Sequence, residues 1–301
     1  MNQKLYFICG PTAVGKSSLA LRLAKKINGI IINSDSMQVY SNLNVLTARP
    51  SIKDYQEVRH ELYGYVKGSE RYNVAKWSTD ILKVIKNNSN PCVIVGGTGM
   101  YINSLINGLI DIPSISEIFK KKSLDLLKEE GLDNFIKIIN SFDSDALKKI
   151  SVNDTSRVRR VWEVYNATGI TFSDWRKKKN KVFFKNQPYN IYLFTPPREK
   201  IYEKVNIRFE TMLREGALEE VKKLINLNLD KSLPIMCAHG VPEISNYLNK
   251  KYSLDECIDI GQRVTRNYVK RQLTWWRSSS LSICQVFCEF PNAIDENILK
   301  I

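Results

Sequence analysis

Eight consecutive residues near the N-terminus have the types and spacing of a phosphate-binding loop: Gly10, Pro11, Thr12, Ala13, Val14, Gly15, Lys16 and Ser17. They match the pattern G-x-x-x-x-G-K-[ST], in which glycines allow backbone amides to surround an anion and the following helix adds its N-terminal partial charge. In such a loop Lys16 supplies a mobile cation and Ser17 a hydroxyl ligand for Mg²⁺. The pattern predicts a site for a phosphorylated ligand.

The residues on both sides of this loop favour a functional motif over a chance match. Residues 4–9, KLYFIC, are short and mostly apolar, which is typical of a buried strand. After the loop, apolar residues recur at helical spacing: Leu19, Ala20, Leu23, Ala24 and Ile27. The sequence therefore predicts the order strand, loop, helix that a phosphate-binding loop needs.

Two further apolar strands each lead into polar or glycine-rich residues. Residues 29–32 precede Asp35, and residues 91–95 precede Gly96-Gly97-Thr98-Gly99. Apolar runs separated by helical stretches predict the parallel sheet of an α/β fold, in which ligands lie beyond the carboxyl ends of the strands. We therefore expect Asp35 and Thr98 beside the bound phosphates. Asp35 could order Mg²⁺ through water, act as a general base or cap a helix, and its position alone does not separate these roles.

Arg208 lies on the apolar stripe of a predicted helix that runs from about residue 198 to 215. The stripe consists of Ile201, Val205, Phe209 and Met212, and Arg208 follows Val205 by three residues. A charge on such a face must be paired or must face a ligand. A structural ion pair is one interpretation. We prefer a clamp on diphosphate oxygens, because a guanidinium group matches the geometry of phosphate.

The composition adds a constraint on partners and location. The chain of 301 residues is 43% hydrophobic and carries a formal net charge of +14, which predicts a polyanionic partner such as nucleic acid or an anionic membrane surface. No apolar run approaches the roughly 20 residues of a membrane span, and the N-terminal apolar stretch is too short for a signal peptide. We expect a cytoplasmic protein with no membrane partner, whose six cysteines are reduced and buried and lack zinc-ligand spacing.

The chain is predicted to hold a discontinuous α/β core, residues 1–112 and 186–301, and a helical insertion, residues 113–185. The insertion is charge-rich and closes with the basic run at residues 176–181, RKKKNK. Residues 190–195 have the pattern of another core strand. The remainder is predicted to be helical, with short loops near Pro234 and Pro242.

Two basic surfaces are predicted. On a late helix, about residues 255–277, four cations fall in a narrow sector: Arg263, Arg266, Lys270 and Arg277. Arg157, Arg159 and Arg160 form a second patch in the insertion. A solvated basic face is the usual explanation of such a stripe, but the net charge favours contact with a nucleic-acid backbone.

Taken in order along the chain, these motifs resemble one family, the tRNA dimethylallyltransferases, also called tRNA isopentenyltransferases. The resemblance runs nearly from end to end, and the ordered set is far more specific than any one of its members. It rests on GPTAVGKS, DSMQVY at 35–40, TARP at 47–50, GGTGMY at 96–101, Asn153-Asp154 with its arginines, Arg208, Met212, Gly216, and TR…KRQ…TWWR within 265–277. The chain ends soon after the tryptophan pair, without a zinc-finger extension, so we expect the bacterial type.

The resemblance implies a P-loop NTPase-like fold and the transfer of a dimethylallyl group from dimethylallyl diphosphate to tRNA. The acceptor would be the exocyclic amine of the adenosine 3′-adjacent to the anticodon, with the anticodon stem-loop bound by the protein. By resemblance, Asp35, Thr98 and Arg208 are catalytic, and the P-loop residues hold the donor, with Mg²⁺ on Ser17. The implied tRNA contacts are Asp35, Ser36, Met37, Gln38, Thr98, Ser156, Arg157, Val158, Arg159, Arg160, Arg266 and Lys270. A monomer is expected.

Three positions depart from the usual family pattern. Arg59-His60 replaces a His-His pair, Leu46 stands where glycine is usual, and AHGVPE at 238–243 replaces a more typical IGYKE. None is a proposed catalytic group, and His239 is expected to be structural or to contact RNA. Two other functions stay open at this point: a P-loop small-molecule or nucleoside kinase that uses ATP, and a non-catalytic RNA-binding P-loop protein. A GTPase is disfavoured because D-x-x-G and N-K-x-D motifs are absent.

Overall fold

A computed structural model describes residues 4–178, 180, 182 and 187–299. The chain divides into two compact units, one formed by Met1–Ile106 with Phe184–Ile301 and the other by Asn107–Phe183. The assignment of catalysis to the first and tRNA binding to the second stays a prediction. Two lysines of the predicted basic run, Lys179 and Lys181, lie outside the described residues.

The first unit contains a parallel sheet of six strands in the order β3-β2-β4-β1-β5-β6. The strands are β1 (Leu5–Cys9), β2 (Ile30–Asn33), β3 (His60–Glu61), β4 (Cys92–Gly96), β5 (Tyr189–Phe194) and β6 (Gln285–Phe287). The sequence predicts β1, β2, β4 and β5, and the structure confirms all four. Both edge strands were missed, since they have only two and three residues and lack a continuous apolar run.

The central strands are buried on both faces, as expected for a parallel sheet covered by helices. Tyr6 and Ile8 of β1 belong to one hydrophobic cluster, while Leu5, Phe7 and Cys9 belong to another on the opposite face. This two-sided burial fixes the strand in the interior. The residue that follows it, Gly10, is therefore held at the carboxyl edge of the sheet.

Eleven α-helices lie within the described residues. They are α1 (Lys16–Lys26), α2 (Ile52–Glu57), α3 (Val74–Lys86), α4 (Gly99–Asn107), α5 (Glu117–Leu147), α6 (Thr155–Thr168), α7 (Phe172–Lys177), α8 (Arg198–Met212), α9 (Leu218–Ile225), α10 (Val241–Leu248) and α11 (Leu254–Ser278). The predicted late helix corresponds to α11. The predicted helix over 198–215 corresponds to α8, which continues through a π-helical stretch, Leu213–Ala217, into α9.

The loop predicted near Pro242 lies at residues 238–240, and Pro242 itself is in the first turn of α10. Proline is tolerated there because a first-turn residue has no intrahelical acceptor for its N–H. Pro234 begins a short 3₁₀ helix, Pro234–Cys237.

The second unit is helical. Its core is formed by Phe135, Ile139 and Ala146 of α5 with Val158 and Val161 of α6. The long helix α5 is interrupted at Gly131 and Asp143, which have non-helical backbone angles. The side chain of Asp154 caps α6 by accepting the Arg157 N–H at 3.1 Å.

All six cysteines are free thiols, but the prediction that all of them are buried is wrong for three. Cys9, Cys92 and Cys257 are buried, whereas the others are exposed: Cys237, Cys284 and Cys288. The apolar neighbours of Cys284 and Cys288 belong to the short edge strand β6, which has solvent on one side. Within the described part of the chain, no helix is both long and apolar enough to span a bilayer.

Candidate active site

The phosphate-binding loop joins β1 to α1 in a conformation that its glycines allow. Gly10 has a φ of +144°, and a Cβ atom there would lie 2.5 Å from the backbone oxygen of Phe194. Gly15 adopts a left-handed conformation, φ +89°, directly before α1. Because only glycine takes these positions without strain, β1 can turn sharply and present the N-terminus of α1 at the edge of the sheet.

A buried glutamine of α11 fixes this loop to the next strand end. The backbone N–H of Thr12 donates to Gln272 Oε1 at 2.9 Å, and Gln272 Nε2 donates to the carbonyl oxygen of Gly97 at 3.0 Å. A Cβ on Gly97 would lie 2.2 Å from Gln272 Nε2, so glycine is required for this approach. The sequence analysis assigned no role to Gln272. The residue could have been found as a candidate only because it belongs to the KRQ motif, residues 270–272, that the chain shares with the family.

Lys16 and Ser17 lie at the start of α1. Lys16 Nζ donates to the carbonyl oxygen of Pro11 at 2.6 Å. Burial lowers the pKa of Lys16 to about 8, against the opposing effect of the nearby Asp35 carboxylate. Ser17 is exposed, and within the described part of the chain its hydroxyl makes no hydrogen bond. That hydroxyl is therefore available as a metal ligand.

Asp35 is held by its own turn and by Asn33, the last residue of β2. Asn33 Oδ1 accepts the Asp35 N–H at 2.8 Å, while Asn33 Nδ2 donates to the Asp35 and Leu62 carbonyl oxygens. Asp35 Oδ1 accepts the N–H of Met37 at 2.8 Å. The carboxylate thus closes a tight turn and caps no helix. Its Oδ2 accepts no hydrogen bond from any residue that the structure describes, so one oxygen is available to a ligand.

Thr98 lies between β4 and α4, beside Asp35. Its Oγ1 accepts the Ser36 N–H at 3.3 Å. The Thr98 side chain also lies near the hydroxyl of Tyr268 on α11, whose pKa is raised by burial. The two strand-end segments that the sequence placed near each other are therefore in direct contact.

Arg208 lines the same cavity as Asp35. Burial lowers the pKa of its guanidinium group, and the Asp35 carboxylate opposes that effect. Among the residues that the structure describes, none forms a hydrogen bond or ion pair with the Arg208 side chain. The ion-pair interpretation is thereby disfavoured, because a desolvated cation without a protein partner calls for an anionic ligand.

These side chains surround a cavity of about 180 Å³. Its polar lining includes Thr12 of the P-loop, Asp35 and Arg208. Its apolar lining includes Met37, Leu46, Val205, Phe209, Met212 and Ala238. A cavity lined by both charged and apolar side chains suits a ligand with a charged end and a hydrocarbon end.

His239 also lines this cavity, although sequence reasoning gave it no catalytic role. Its ring lies 4.6 Å from that of Tyr268, centroid to centroid. Burial lowers the pKa of the imidazole to about 4, and the charge of Arg271 acts in the same direction. The ring is therefore neutral near pH 7 and adds no cation to the site.

Within the second unit, two of the predicted RNA contacts need correction. Val158 is fully buried in the core, so its side chain is not available to RNA. Arg159 is occupied inside the unit, donating to Ser123 Oγ at 3.0 Å and to the Lys120 carbonyl oxygen, and pairing with Glu163 at 3.3 Å. Both side chains point inward because α6 packs this face against α5.

Three of the predicted contacts in this unit have more accessible side chains. Ser156 and Arg157 are exposed at the start of α6, where Arg157 pairs with Asp154 at 3.3 Å. Arg160 is half-buried, and burial lowers its pKa. These residues remain candidates for an RNA surface.

The basic stripe of α11 is only partly free. Arg266 Nη1 donates to Asn206 Oδ1 at 2.6 Å, which ties α11 to α8. The other three cations of the stripe, Arg263, Lys270 and Arg277, are exposed. Gln38 also has a structural role, since its Nε2 donates to the carbonyl oxygens of Thr47 and Ala48 at 2.9 Å.

Comparison with known proteins gives this geometry a family. A profile of a family described as IPP transferase matches residues 38–279. The chain belongs to this family. A tRNA dimethylallyltransferase of Bartonella henselae is 42% identical, and the match covers 90% of this chain and 94% of that protein. A tRNA dimethylallyltransferase of a Wolbachia from Brugia malayi is also 42% identical, and the match covers 97% of this chain and 95% of that protein.

Solved structures of the IPP transferase family have the same fold, which is P-loop NTPase-like. A eukaryotic dimethylallyltransferase described as acting on tRNA is 29% identical, with a TM-score of 0.76 and coverage of 91% of this chain and 69% of that one. A tRNA isopentenylpyrophosphate transferase from Bacillus halodurans is 29% identical, with a TM-score of 0.65 and coverage of 95% and 90%. The resemblance drawn from the sequence motifs is confirmed.

Proposed function

We propose that this chain transfers the dimethylallyl group of dimethylallyl diphosphate to the exocyclic amine of the adenosine 3′-adjacent to the anticodon of tRNA. One observation supports this most strongly: the Asp35 carboxylate and the unpaired Arg208 guanidinium group line one cavity together with several apolar side chains. The cavity therefore combines a positive charge that can stabilise a leaving diphosphate, a carboxylate that can accept a proton, and apolar side chains that can contact a hydrocarbon group. The names of the relatives agree with this chemistry.

In this mechanism the P-loop and Arg208 hold the diphosphate. Lys16 leaves the Pro11 carbonyl oxygen and pairs with a phosphate oxygen, while Arg208 contacts the same group from α8. Mg²⁺, held by Ser17 and the diphosphate oxygens, would neutralise leaving-group charge. Within the described residues, no group of three or more His, Cys, Asp and Glu side chains could hold a metal. The donor's diphosphate would therefore supply most of the negatively charged ligands of Mg²⁺.

Asp35 handles the proton of the acceptor. The adenine amine is a weak nucleophile, since its lone pair is delocalised into the ring. As the nitrogen bonds to the allylic carbon, the carbon–oxygen bond to diphosphate breaks, and the amine proton passes to Asp35 Oδ2. Thr98, whose Oγ1 accepts the Ser36 N–H, positions the amine. The adenosine must leave its base stack to reach this cavity.

Lys16 gives the reaction a pH dependence. Because the charged lysine binds diphosphate, we expect kcat/KM for the donor to fall as pH rises through about 8, where Lys16 loses its proton. Lys16→Arg keeps its charge, so its profile should stay flat to higher pH. Initial rates from pH 7 to 10 measure this. A fall at the same pH in both proteins would assign the titration to another group.

The tRNA would bind through phosphate contacts of the exposed cations of α11. Lys270→Ala should weaken tRNA binding and reduce the slope of log K against log salt by about 1. Lys86→Ala is the matched control, since Lys86 is an exposed lysine at the end of α3 and does not belong to the basic stripe of α11. Filter binding at several salt concentrations gives both slopes. Equal slopes for the two variants would remove Lys270 from the interface.

The direct test is a transfer assay. Purified protein, Mg²⁺, dimethylallyl diphosphate and unmodified tRNA with adenosine 3′ to the anticodon are incubated, and the nucleosides are weighed after digestion. Adenosine heavier by one dimethylallyl unit is the expected product. Unchanged adenosine, with ATP consumed when a nucleoside is offered, would instead indicate the kinase. Unchanged adenosine with tRNA bound and no ATP consumed would indicate a non-catalytic RNA-binding protein.

We also propose that the chain acts in the cytoplasm, where tRNA is found, and as a monomer. Size-exclusion chromatography with light scattering tests the second point, and a dimer mass would contradict it.

A further inference from the structure

The P-loop and the segment at residues 97–98, here called the 97–98 segment, leave the sheet side by side. Cys9 at the end of β1 pairs with Gly96 at the end of β4, and the next residue of each chain begins its loop. The ladder between these two strands ends with that pair. The pairing of the strands therefore does not set the distance between Thr12, further along the P-loop, and the 97–98 segment.

The side chain of Gln272 spans the gap between the two loops. Its Oε1 accepts the Thr12 N–H at 2.9 Å, and its Nε2 donates to the Gly97 carbonyl oxygen at 3.0 Å. The side chain is buried, so removal of the amide would leave both backbone groups without this partner in a site of limited water access. Because the oxygen and nitrogen of one amide are a fixed distance apart, the bridge sets the spacing between the two loops.

The face of α11 that carries Gln272 also contacts neighbouring parts of the site. Tyr268 lies four residues before Gln272 and Trp275 three residues after it, so the three side chains share one side of the helix. Tyr268 lines the cavity and lies near Thr98. The indole ring of Trp275 lies so close to Gly99, where α4 begins, that a Cβ atom there would come within 2.0 Å of it. The bridge therefore extends from a closely packed surface, which a positioning group requires.

We propose that Gln272 is a positioning residue for the transfer reaction. It holds the P-loop, which binds the donor's diphosphate, in place against the 97–98 segment, whose Thr98 positions the acceptor amine. This inference rests on the proposed function. Without the bridge both reactants still occupy their own sites, but the allylic carbon and the amine nitrogen lose their alignment. A displacement of about 1 Å between reacting groups costs roughly 10²-fold in rate.

The test replaces Gln272 with methionine, which has a similar length and volume but no amide. Gln272→Met should lower kcat by about 10²-fold at saturating donor and tRNA, with rates measured well below the melting temperature of the variant. The KM for the donor, and the Kd for tRNA from filter binding, should change far less, since both binding sites persist. If this variant does not fold, Gln272→Asn keeps an amide that is one methylene too short to reach both partners, and the same split between kcat and KM is expected.

Gln262→Met is the matched control. Gln262 lies on the same helix and also bridges two elements, since its Nε2 donates to Glu210 Oε1 of α8 at 3.0 Å, but it does not line the cavity. This variant should lower the melting temperature and keep wild-type kcat. Wild-type kcat in Gln272→Met, or an equal fall of kcat in Gln262→Met, would overturn the inference alone. Absence of transfer by the wild-type protein would overturn the proposed function and this inference with it.

Discussion

Asp35→Asn is expected to lower kcat by about 10²- to 10⁴-fold, the usual contribution of a positioned general base. Asparagine keeps an oxygen for the Met37 N–H, so the turn that carries it should persist. What is lost is the acceptor at Oδ2, which takes the amine proton. Single-turnover transfer with saturating donor measures the effect, and tRNA affinity from filter binding should stay within about twofold.

Asp54→Asn is the control for a general effect of removing a carboxylate. Asp54 belongs to the capping box of α2 and does not line the cavity. This variant should keep wild-type kcat. If Asp35→Asn lost tRNA affinity while retaining normal turnover, Asp35 would be a recognition residue and the base would lie elsewhere.

Arg208→Gln should lower kcat by about 10²- to 10³-fold, comparable to the loss of one preorganised group that stabilises transition-state charge. The guanidinium group is desolvated and has no protein partner in the described residues, so its charge is directed to the ligand. Because negative charge grows on the diphosphate as the carbon–oxygen bond breaks, kcat should fall more than KM rises. Arg208→Lys keeps the charge but loses the fork geometry, and should lie between.

Arg214→Gln provides the matched comparison, since Arg214 lies beyond the end of α8, is exposed, and pairs with Glu210 at 3.5 Å. An exposed pair of this kind contributes little, so this variant should have wild-type kinetics. A rise in KM for donor with unchanged kcat in Arg208→Gln would mean that Arg208 binds the ground state and does not assist bond cleavage.

The parts of the fold that local pattern determines could be predicted. The four inner strands are mostly apolar because both faces are covered, and the P-loop motif places a helix N-terminus at the end of β1. The same reasoning found Arg208, since a charge on the buried stripe of α8 is visible in helical spacing alone. Asp35 and Thr98 followed from the rule that parallel strands end at a common edge.

What could not be predicted depends on residues far apart in the chain. Asn33 fixes the Asp35 turn to Leu62, and Gln272 fixes the P-loop to Gly97, by hydrogen bonds whose partners lie 29 and 175 residues away. The KRQ motif marks Gln272 but does not identify its partners. In the insertion, the cluster of arginines in the sequence does not show that Arg159 is already bonded to Ser123 and Glu163 inside the unit. Edge strands β3 and β6 exist only because a neighbour is already in place for them to pair with.

The bridge between Thr12 and Gln272 has a consequence for synthesis of the protein on the ribosome. Every residue of the P-loop motif is translated at the start, but the group that anchors Thr12 to Gly97 is 260 residues further along the chain. A nascent chain that has not yet released α11 therefore carries the complete motif without its anchor. We therefore expect a fragment that ends before α11 to hold its P-loop less firmly than the full chain does.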